Sequence, residues 1–260
     1  MAAPPTTDSE DILSDALAFL GGDPVVDARD DDGIRYGPLR LTVASKANTL
    51  LADHLFSPAL FLAELVEREK IPVAGHTILE LGAGTGLPSL LMSARAPPPC
   101  LVVVTDYPDP GILGNLQANV ARNKHLVAKG CTLTCAGYEW GKDVEHLLTL
   151  LPPGHTAYTT LILSDLLHFG DAHDVLVSSI IKLSARGPDS RIYVAAGNYT
   201  KPDVCANFVR VAREAGLLID EILSAPAEQQ WLGGMEVGGL DKDALTLRKA
   251  ACRFWIARWL

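Results

Sequence analysis

The chain is short of basic residues. Its 260 positions hold 22 Lys and Arg against 31 Asp and Glu, a formal charge of −9 with a pI near 5.2. A nucleic-acid footprint needs clustered Lys and Arg to neutralise phosphates, so this balance argues against one. No stretch approaches the roughly 18 to 20 continuous apolar residues of a membrane span. Cysteine is sparse and unpatterned: Cys100, Cys131, Cys135, Cys205 and Cys252 form no CxxC pair, and no matching Cys/His pair follows Cys131 and Cys135. That speaks against a zinc site or a secreted disulfide framework and for a reducing compartment. Met1-Ala-Ala-Pro-Pro has neither the basic nor the apolar region of a signal peptide. The expectation is a soluble cytoplasmic protein with no metal. What the chain does have is 48% hydrophobic and 20% charged residues, which suits one large globular domain with an appendage.

Residues 1–45 differ in composition from the rest and end their acidic run at Asp30, Asp31 and Asp32. Asp11-Ile-Leu-Ser-Asp-Ala-Leu-Ala-Phe-Leu20 has helical periodicity, stopped by Gly21-Gly22. The stretch reads as a solvated acidic arm with one short helix or, more sharply, as a lid over a binding site. From residue 46 the pattern is that of a domain. Leu50 to Lys70 reads as an amphipathic helix. Short apolar runs then alternate with helices: strands at Thr77–Leu81, Leu101–Thr105, Cys131–Cys135, Thr160–Ser164 and Arg191–Ala196, helices at Leu87–Ala94, Ile112–Lys124, His173–Leu183 and Asp203–Ala215. Strands apolar throughout, separated by such helices, predict a parallel sheet covered on both faces. Leu217–Ile222 and Cys252–Trp259 follow with no clear helix between them and predict an antiparallel pair at the sheet edge.

The strongest chemical signal is Ile78-Leu-Glu-Leu-Gly-Ala-Gly-Thr-Gly86, where a strand turns into a helix. Glycines there let backbone approach a ligand closely, and the next helix presents free N–H groups. The spacing is G-x-G-x-G, unlike the dehydrogenase G-x-G-x-x-G. Glu80 would repel a pyrophosphate but suits a ligand carrying ammonium or sulfonium. Asp106, twenty residues past Gly86 at the next strand's end, can accept hydrogen bonds from two ribose hydroxyls. It can equally make a turn and cap the next helix, and the two roles are compatible.

Ile78–Gly86 resembles motif I of the class I, seven-strand S-adenosylmethionine-dependent methyltransferases. More narrowly, Glu80–Ser89, Val103–Pro110, Asn115–Asn119, Gly137–Gly141 and Leu161–Leu167 are similar to a fungal branch of the family 16 lysine methyltransferases. That branch contains the enzyme that modifies the N-terminal glycine and adjacent lysine of translation elongation factor 1-alpha, and some members carry a nicotinamide N-methyltransferase-like label. The resemblance implies a Rossmann-like doubly wound, seven-stranded, mostly parallel α/β sheet with an antiparallel C-terminal edge strand; residues 1–45 lie outside it, and the N-terminal helical extension rests on the periodicity of Asp11–Leu20 alone. It also implies roles. Glu80, Gly82, Ala83, Gly84 and Gly86 would line the methionine part of S-adenosylmethionine, and Asp106 would hold the ribose. Tyr107 and Trp140 would flank the adenine, and Ser164 and Asp165 would close the site near the methyl group. Read alone, Trp140 is as well a core aromatic and Asp165 a helix cap.

The acceptor half departs from the family. No Trp stands in Leu51-Ala-Asp-His-Leu-Phe-Ser-Pro58. The family's Asp-x-x-Tyr or Asp-x-x-Phe is Asp165-Leu-Leu-His168 here, with Phe169 one place late. Gly197-Asn-Tyr-Thr-Lys-Pro202 replaces a His-Tyr-Arg-Pro-like segment. Asp165 and His168 are the candidates for handling the acceptor's proton, with Tyr199 to orient it; a capping His168 and a packed rim Tyr199 are the plainer readings. The leading expectation is N-methylation of a protein amine, of elongation-factor type, releasing S-adenosylhomocysteine. The alternatives are a small-molecule methyltransferase of secondary metabolism and a cofactor-binding fold put to other chemistry.

Overall fold

The computed structural model describes residues 33–45 and 52–260. The short helix expected at Asp11–Leu20 and the Asp30–Asp32 run lie outside them. Seven strands form one sheet in the order β5-β4-β3-β6-β7-β9-β8. They are β3 (Thr77–Leu81), β4 (Leu101–Asp106), β5 (Thr132–Gly137), β6 (Thr160–Ser164), β7 (Arg191–Gly197), β8 (Leu217–Glu221) and β9 (Cys252–Trp259). Strands β3 to β7 run parallel, and β9 is antiparallel to β7 and β8.

The central strands are apolar on both sides because both sides are covered. Ile78, Val102, Val104 and Ile162 enter one core cluster, while Leu79, Leu81, Leu101, Val103, Leu161 and Leu163 enter the other. Helices α1 (Ser57–Glu67), α2 (Leu87–Ser93), α3 (Pro110–Asn123) and α7 (Lys242–Ala250) cover the first face. Helices α4 (Glu145–Leu148), α5 (His173–Leu183) and α6 (Pro202–Glu214) cover the second. Strands β3 and β6 are neighbours whose following helices leave to opposite faces, so a crevice opens between their carboxyl ends.

Four details differ from the sequence reading. The helix expected over Leu50–Lys70 is Ser57–Glu67, with Pro58 in its first turn, where a missing N–H costs nothing. Residues 52–56 ahead of it are not helical. Helix α7 stands between β8 and β9, where none was expected. It buries few side chains, Leu245 among them, so its apolar stripe is faint, but Asp241 caps it by accepting from Ala244 N at 2.8 Å. Lys249 anchors it, with Nζ 2.8 Å from Glu64 on α1 and both groups buried. The antiparallel pair is present at the edge, but β9 inserts beside β7 and leaves β8 outermost.

The fourth difference concerns residues 34–41, which composition grouped with the acidic arm. They form a hairpin, β1 (Ile34–Tyr36) and β2 (Leu39–Leu41), and Tyr36, Leu39 and Leu41 are buried in the core. Packed structure therefore begins before residue 45. The hairpin is held by α3. Asn119 Oδ1 accepts from Thr42 N at 2.9 Å while its Nδ2 donates to Thr42 O at 2.8 Å. One turn on, Asn123 treats Arg40 the same way, at 2.9 and 2.8 Å. Each side-chain amide thus pairs like a strand residue, and the four-residue spacing puts both on one helix face.

Replacing Asn119 by Leu leaves buried backbone groups unpartnered. It should lower stability by about 2–4 kcal/mol, read as a fall in urea midpoint with unchanged m-value; a loss below about 0.5 kcal/mol would show that the amide pairing is dispensable.

Candidate functional site

A cavity of about 300 Å³ opens in the crevice between β3 and β6. Its floor is the loop after β3, in which Gly82, Gly84 and Gly86 all have positive φ, between 54° and 76°. Only glycine adopts such angles in succession at no steric cost. The three are not equivalent. A Cβ on Gly82 would lie 2.6 Å from Leu166 and 3.2 Å from Trp140, so that glycine is required by packing. A Cβ on Gly84 would meet nothing within 4 Å and would project into open space. Gly86 caps α2 in the left-handed conformation, and a Cβ there would press on Leu116 at 3.0 Å.

Asp106 stands at the end of β4. Its Oδ2 accepts from Gly84 N at 2.6 Å and its Oδ1 from Tyr107 N at 2.7 Å. Burial raises its pKa, and the two N–H groups oppose the rise. Capping of α3 falls instead to Asp109, which accepts from Gly111 N and Ile112 N. Asp106 lines the cavity beside Ala83, Tyr107 and Trp140, and each of its oxygens can accept a further hydrogen bond.

Across the cavity, β6 ends at Ser164 and Asp165. Asp165 has φ 64°, a left-handed angle that Asp tolerates better than most residues. Its Oδ1 accepts from Gly197 N at 3.1 Å, and its Oδ2 accepts a very short bond from the Tyr199 hydroxyl. Burial pushes the carboxyl up to about 6, with both donors working against it. The Tyr199 ring lies so close over Gly197 that a Cβ there would sit 2.2 Å from it, so only glycine permits this arrangement. Tyr199 is therefore behind Asp165 and not on the cavity wall.

His168 lines the cavity with its ring 3.9 Å from that of Phe169. Both ring nitrogens are buried without a hydrogen-bond partner. Burial lowers its pKa to about 4, opposed by the nearby Asp165 carbonyl, so at neutral pH it is an uncharged ring with an unused lone pair.

Nine of the twelve residues expected from sequence meet at this one cavity: Gly82, Ala83, Gly84, Asp106, Tyr107, Trp140, Ser164, Asp165 and His168. Gly86 and Tyr199 support it from behind. Glu80 is a correction. Its side chain is fully buried beneath the loop, where Oε2 accepts from Ser89 N at 3.3 Å and Oε1 has no partner. It reaches the start of α2 and not the wall that a ligand would touch. Sequence reasoning gave no site role to Phe56 and noted Phe169 only as an aromatic one place late, although both line the cavity. It also gave no role to Asn119, whose Nδ2 also donates to Thr85 O in the glycine loop at 3.1 Å. The quoted Asn115–Asn119 motif was the available signal.

A doubly wound sheet with a glycine loop and a strand-end acid at its β3–β6 crevice defines a Rossmann-like methyltransferase. The solved structure of the [4+2]-cyclase SpnF shares the fold, with a TM-score of 0.50 at 14% identity over 95% of this chain and 92% of that one. Residues 39–209 match the family described as lysine methyltransferase, and the chain belongs to that family. Among curated relatives, the protein N-terminal and lysine N-methyltransferase EFM7 of Gibberella zeae is 35% identical over 66% of this chain and 68% of its own length. The protein of the same name from Eremothecium gossypii is 33% identical over 78% of this chain and 76% of its own length. Among the described residues no helix is long and apolar enough to cross a membrane.

Burial without an adequate partner raises the Glu80 carboxyl to about 8, so the folded protein holds it protonated at pH 7 while the unfolded chain ionises near 4.5. Between those values the native state binds the extra proton, and stability falls as pH rises. Glu80→Gln cannot ionise. Relative to the variant, the wild type should lose a few kcal/mol between pH 5 and pH 8 in urea melts; parallel curves across that window would place an ionised carboxylate at Glu80.

Proposed function

We propose that the chain transfers a methyl group from S-adenosylmethionine to a protein amine, an N-terminal amine or a lysine of a translation elongation factor. The names of the relatives supply a protein N-terminus or lysine as the acceptor class, and the elongation factor rests on the motif resemblance alone. The observation in this chain that carries the reading is the buried Asp165 carboxylate, held by Gly197 and Tyr199 across the cavity from the glycine loop. The five free thiols suit a reducing cytoplasm, and the fungal relatives suit a fungal source.

The cavity fits this cofactor. Gly84 faces open space that any side chain would fill, so the backbone of Gly82, Ala83 and Gly84 would cradle the methionine part. Asp106 would accept from the ribose hydroxyls, with Tyr107 and Trp140 beside the adenine and Ser164 near the methyl group. When bound, S-adenosylmethionine supplies a methyl group on a positively charged sulfur and leaves as S-adenosylhomocysteine.

Asp165, ionised above about pH 6, accepts a hydrogen bond from the incoming ammonium and aims it across the cavity. His168 stays neutral beside Asp165 and contributes its ring to the cavity wall next to the incoming amine. Tyr199 is a positioning residue that acts only through Asp165. Phe56 and Phe169 keep water from the amine, which strengthens its interaction with the carboxylate. Residues 1–32 hold nine acids and one base, all but one of the chain's net negative charges. That charge favours encounter with a basic acceptor.

Methyl-labelled S-adenosylmethionine with fungal lysate should mark one protein band at the elongation factor's size. Label confined to a small-molecule extract would move the function to secondary metabolism, and label in neither fraction with cofactor binding intact would mean other chemistry. Asp106→Ala should weaken cofactor binding by about 10- to 100-fold, the worth of hydrogen bonds to a charged group, and Gly84→Leu should abolish it. Asp165→Asn should cut kcat with cofactor affinity nearly unchanged, and should remove the decline of kcat/KM as pH falls through about 6. Equal loss of kcat and cofactor affinity would put Asp165 in the cofactor pocket. Deleting residues 1–32 should raise KM for the protein acceptor, most at low salt, and leave cofactor affinity alone.

A further inference from the structure

The five cysteines were set aside as unpatterned in sequence, yet the sheet brings two of them side by side. In the β4–β5 ladder Leu101 stands opposite Thr132. One residue earlier in each chain, Cys100 therefore stands opposite Cys131, and Thr132 N donates to Cys100 O at 3.1 Å across the pair. Val102 and Val104 belong to the core cluster against which Cys131, Leu133 and Cys135 pack, and the alternation of β4 carried one residue back would put Cys100 on that side too. The Cys100 thiol is near enough to act electrostatically on that of Cys131. Neighbouring strands lie about 4.8 Å apart, within the Cα separation of roughly 4.4–6.8 Å that a disulfide spans. Both residues directly precede the first paired residue of their strands. None of the other three has a cysteine opposite it: Cys135 faces Val104, Cys252 faces Gly197, and Cys205 lies on α6.

We propose that Cys100 and Cys131 form a peroxide-reactive dithiol that closes to an intramolecular disulfide between adjoining parallel strands. The two thiols have different surroundings. Cys100 is exposed, and Cys131 is half-buried with its Sγ 3.6 Å from Thr132 O. Burial and the neighbouring Cys100 push the Cys131 thiol up to about 11, which leaves Cys100 to meet the oxidant. Its thiolate attacks hydrogen peroxide. An S–O bond forms, the O–O bond breaks, and hydroxide leaves and is protonated to water. Cys100 is then a sulfenic acid, oxidised by two electrons while the peroxide is reduced by two. The Cys131 sulfur attacks the Cys100 sulfur, the S–S bond forms, the S–O bond breaks, and the thiol proton leaves with hydroxide as a second water. Two thiols and one peroxide give one disulfide and two waters.

The site is at the amino ends of the strands, while the glycine loop and Asp106 follow their carboxyl ends. It is separate from the methyl-transfer site, and its test does not depend on that assignment. The full-length protein is treated with hydrogen peroxide, alkylated and mapped without reduction. The expected result is a linked peptide joining Cys100 to Cys131, loss of two of the five free thiols and reversal by dithiothreitol. C100S and C131S should each abolish the link, and in C131S the sulfenic acid on Cys100 should be trapped by dimedone. Dimedone labelling of wild-type Cys100 without the linked peptide would overturn the proposal, because the second thiol would then be out of reach. So would a disulfide found only between chains on a non-reducing gel, or a Cys100 that peroxide leaves untouched.

Discussion

The site rests on one side-chain amide. Asn119 pairs with both backbone groups of Thr42 and, with the second hydrogen of its Nδ2, reaches Thr85 in the glycine loop. Asn119 is fully buried, so each of these bonds replaces water that is no longer present. The hairpin, α3 and the loop that floors the cavity thus share one hydrogen-bonding centre. The Asp106 carboxylate and the Asn119 amide pin the middle of the loop at two consecutive residues, Gly84 and Thr85. The floor is shaped before any ligand arrives, which lowers the ordering cost of binding.

Three carboxyl groups within a short span are held in three different conditions by their surroundings. Glu80, under the loop with one long hydrogen bond, is kept protonated. Asp106 faces the cavity with two backbone donors. Asp165, on the far wall, has a backbone donor and a phenol. The difference lies in the number and kind of donors each burial supplies. Such divergence lets the fold hold one acid neutral beneath the loop while the acids that line the cavity keep donors for their charge.

The sheet core was legible because strands covered on both faces must be apolar throughout. Thr77–Leu81, Thr160–Ser164 and Cys252–Trp259 begin and end where the residue pattern says. Helix α7 escaped because an exposed nine-residue helix buries too little to leave a periodic stripe, although its Asp241 cap was in plain view. The hairpin escaped because Arg35 and Arg40 alternate with Tyr36 and Leu39 in too short a run. At the site, residue types that need special backbone, the glycines and the strand-end acids, stood out. What sequence could not convey was direction. Glu80 and Asp106 look alike as acids at strand ends, yet one points under the loop and the other at the cavity. Tyr199 was noticed for its phenol, which turns away from the cavity and onto a carboxylate. The departures at His168 and Gly197 acquire meaning only in space, since Gly197 makes room for the Tyr199 ring.

The insertion of β9 between β7 and β8 sets an order on synthesis. Strand β8 emerges from the ribosome with no ladder partner, because the strand that joins it to the sheet, Cys252–Trp259, is made afterwards. At about 5–20 residues per second that interval lasts roughly two to eight seconds. Until then the edge of β7 and the apolar Leu217 and Ile219 of β8, both buried in the finished fold, lack the strand that covers them. The sheet is closed at this edge only by the last strand made.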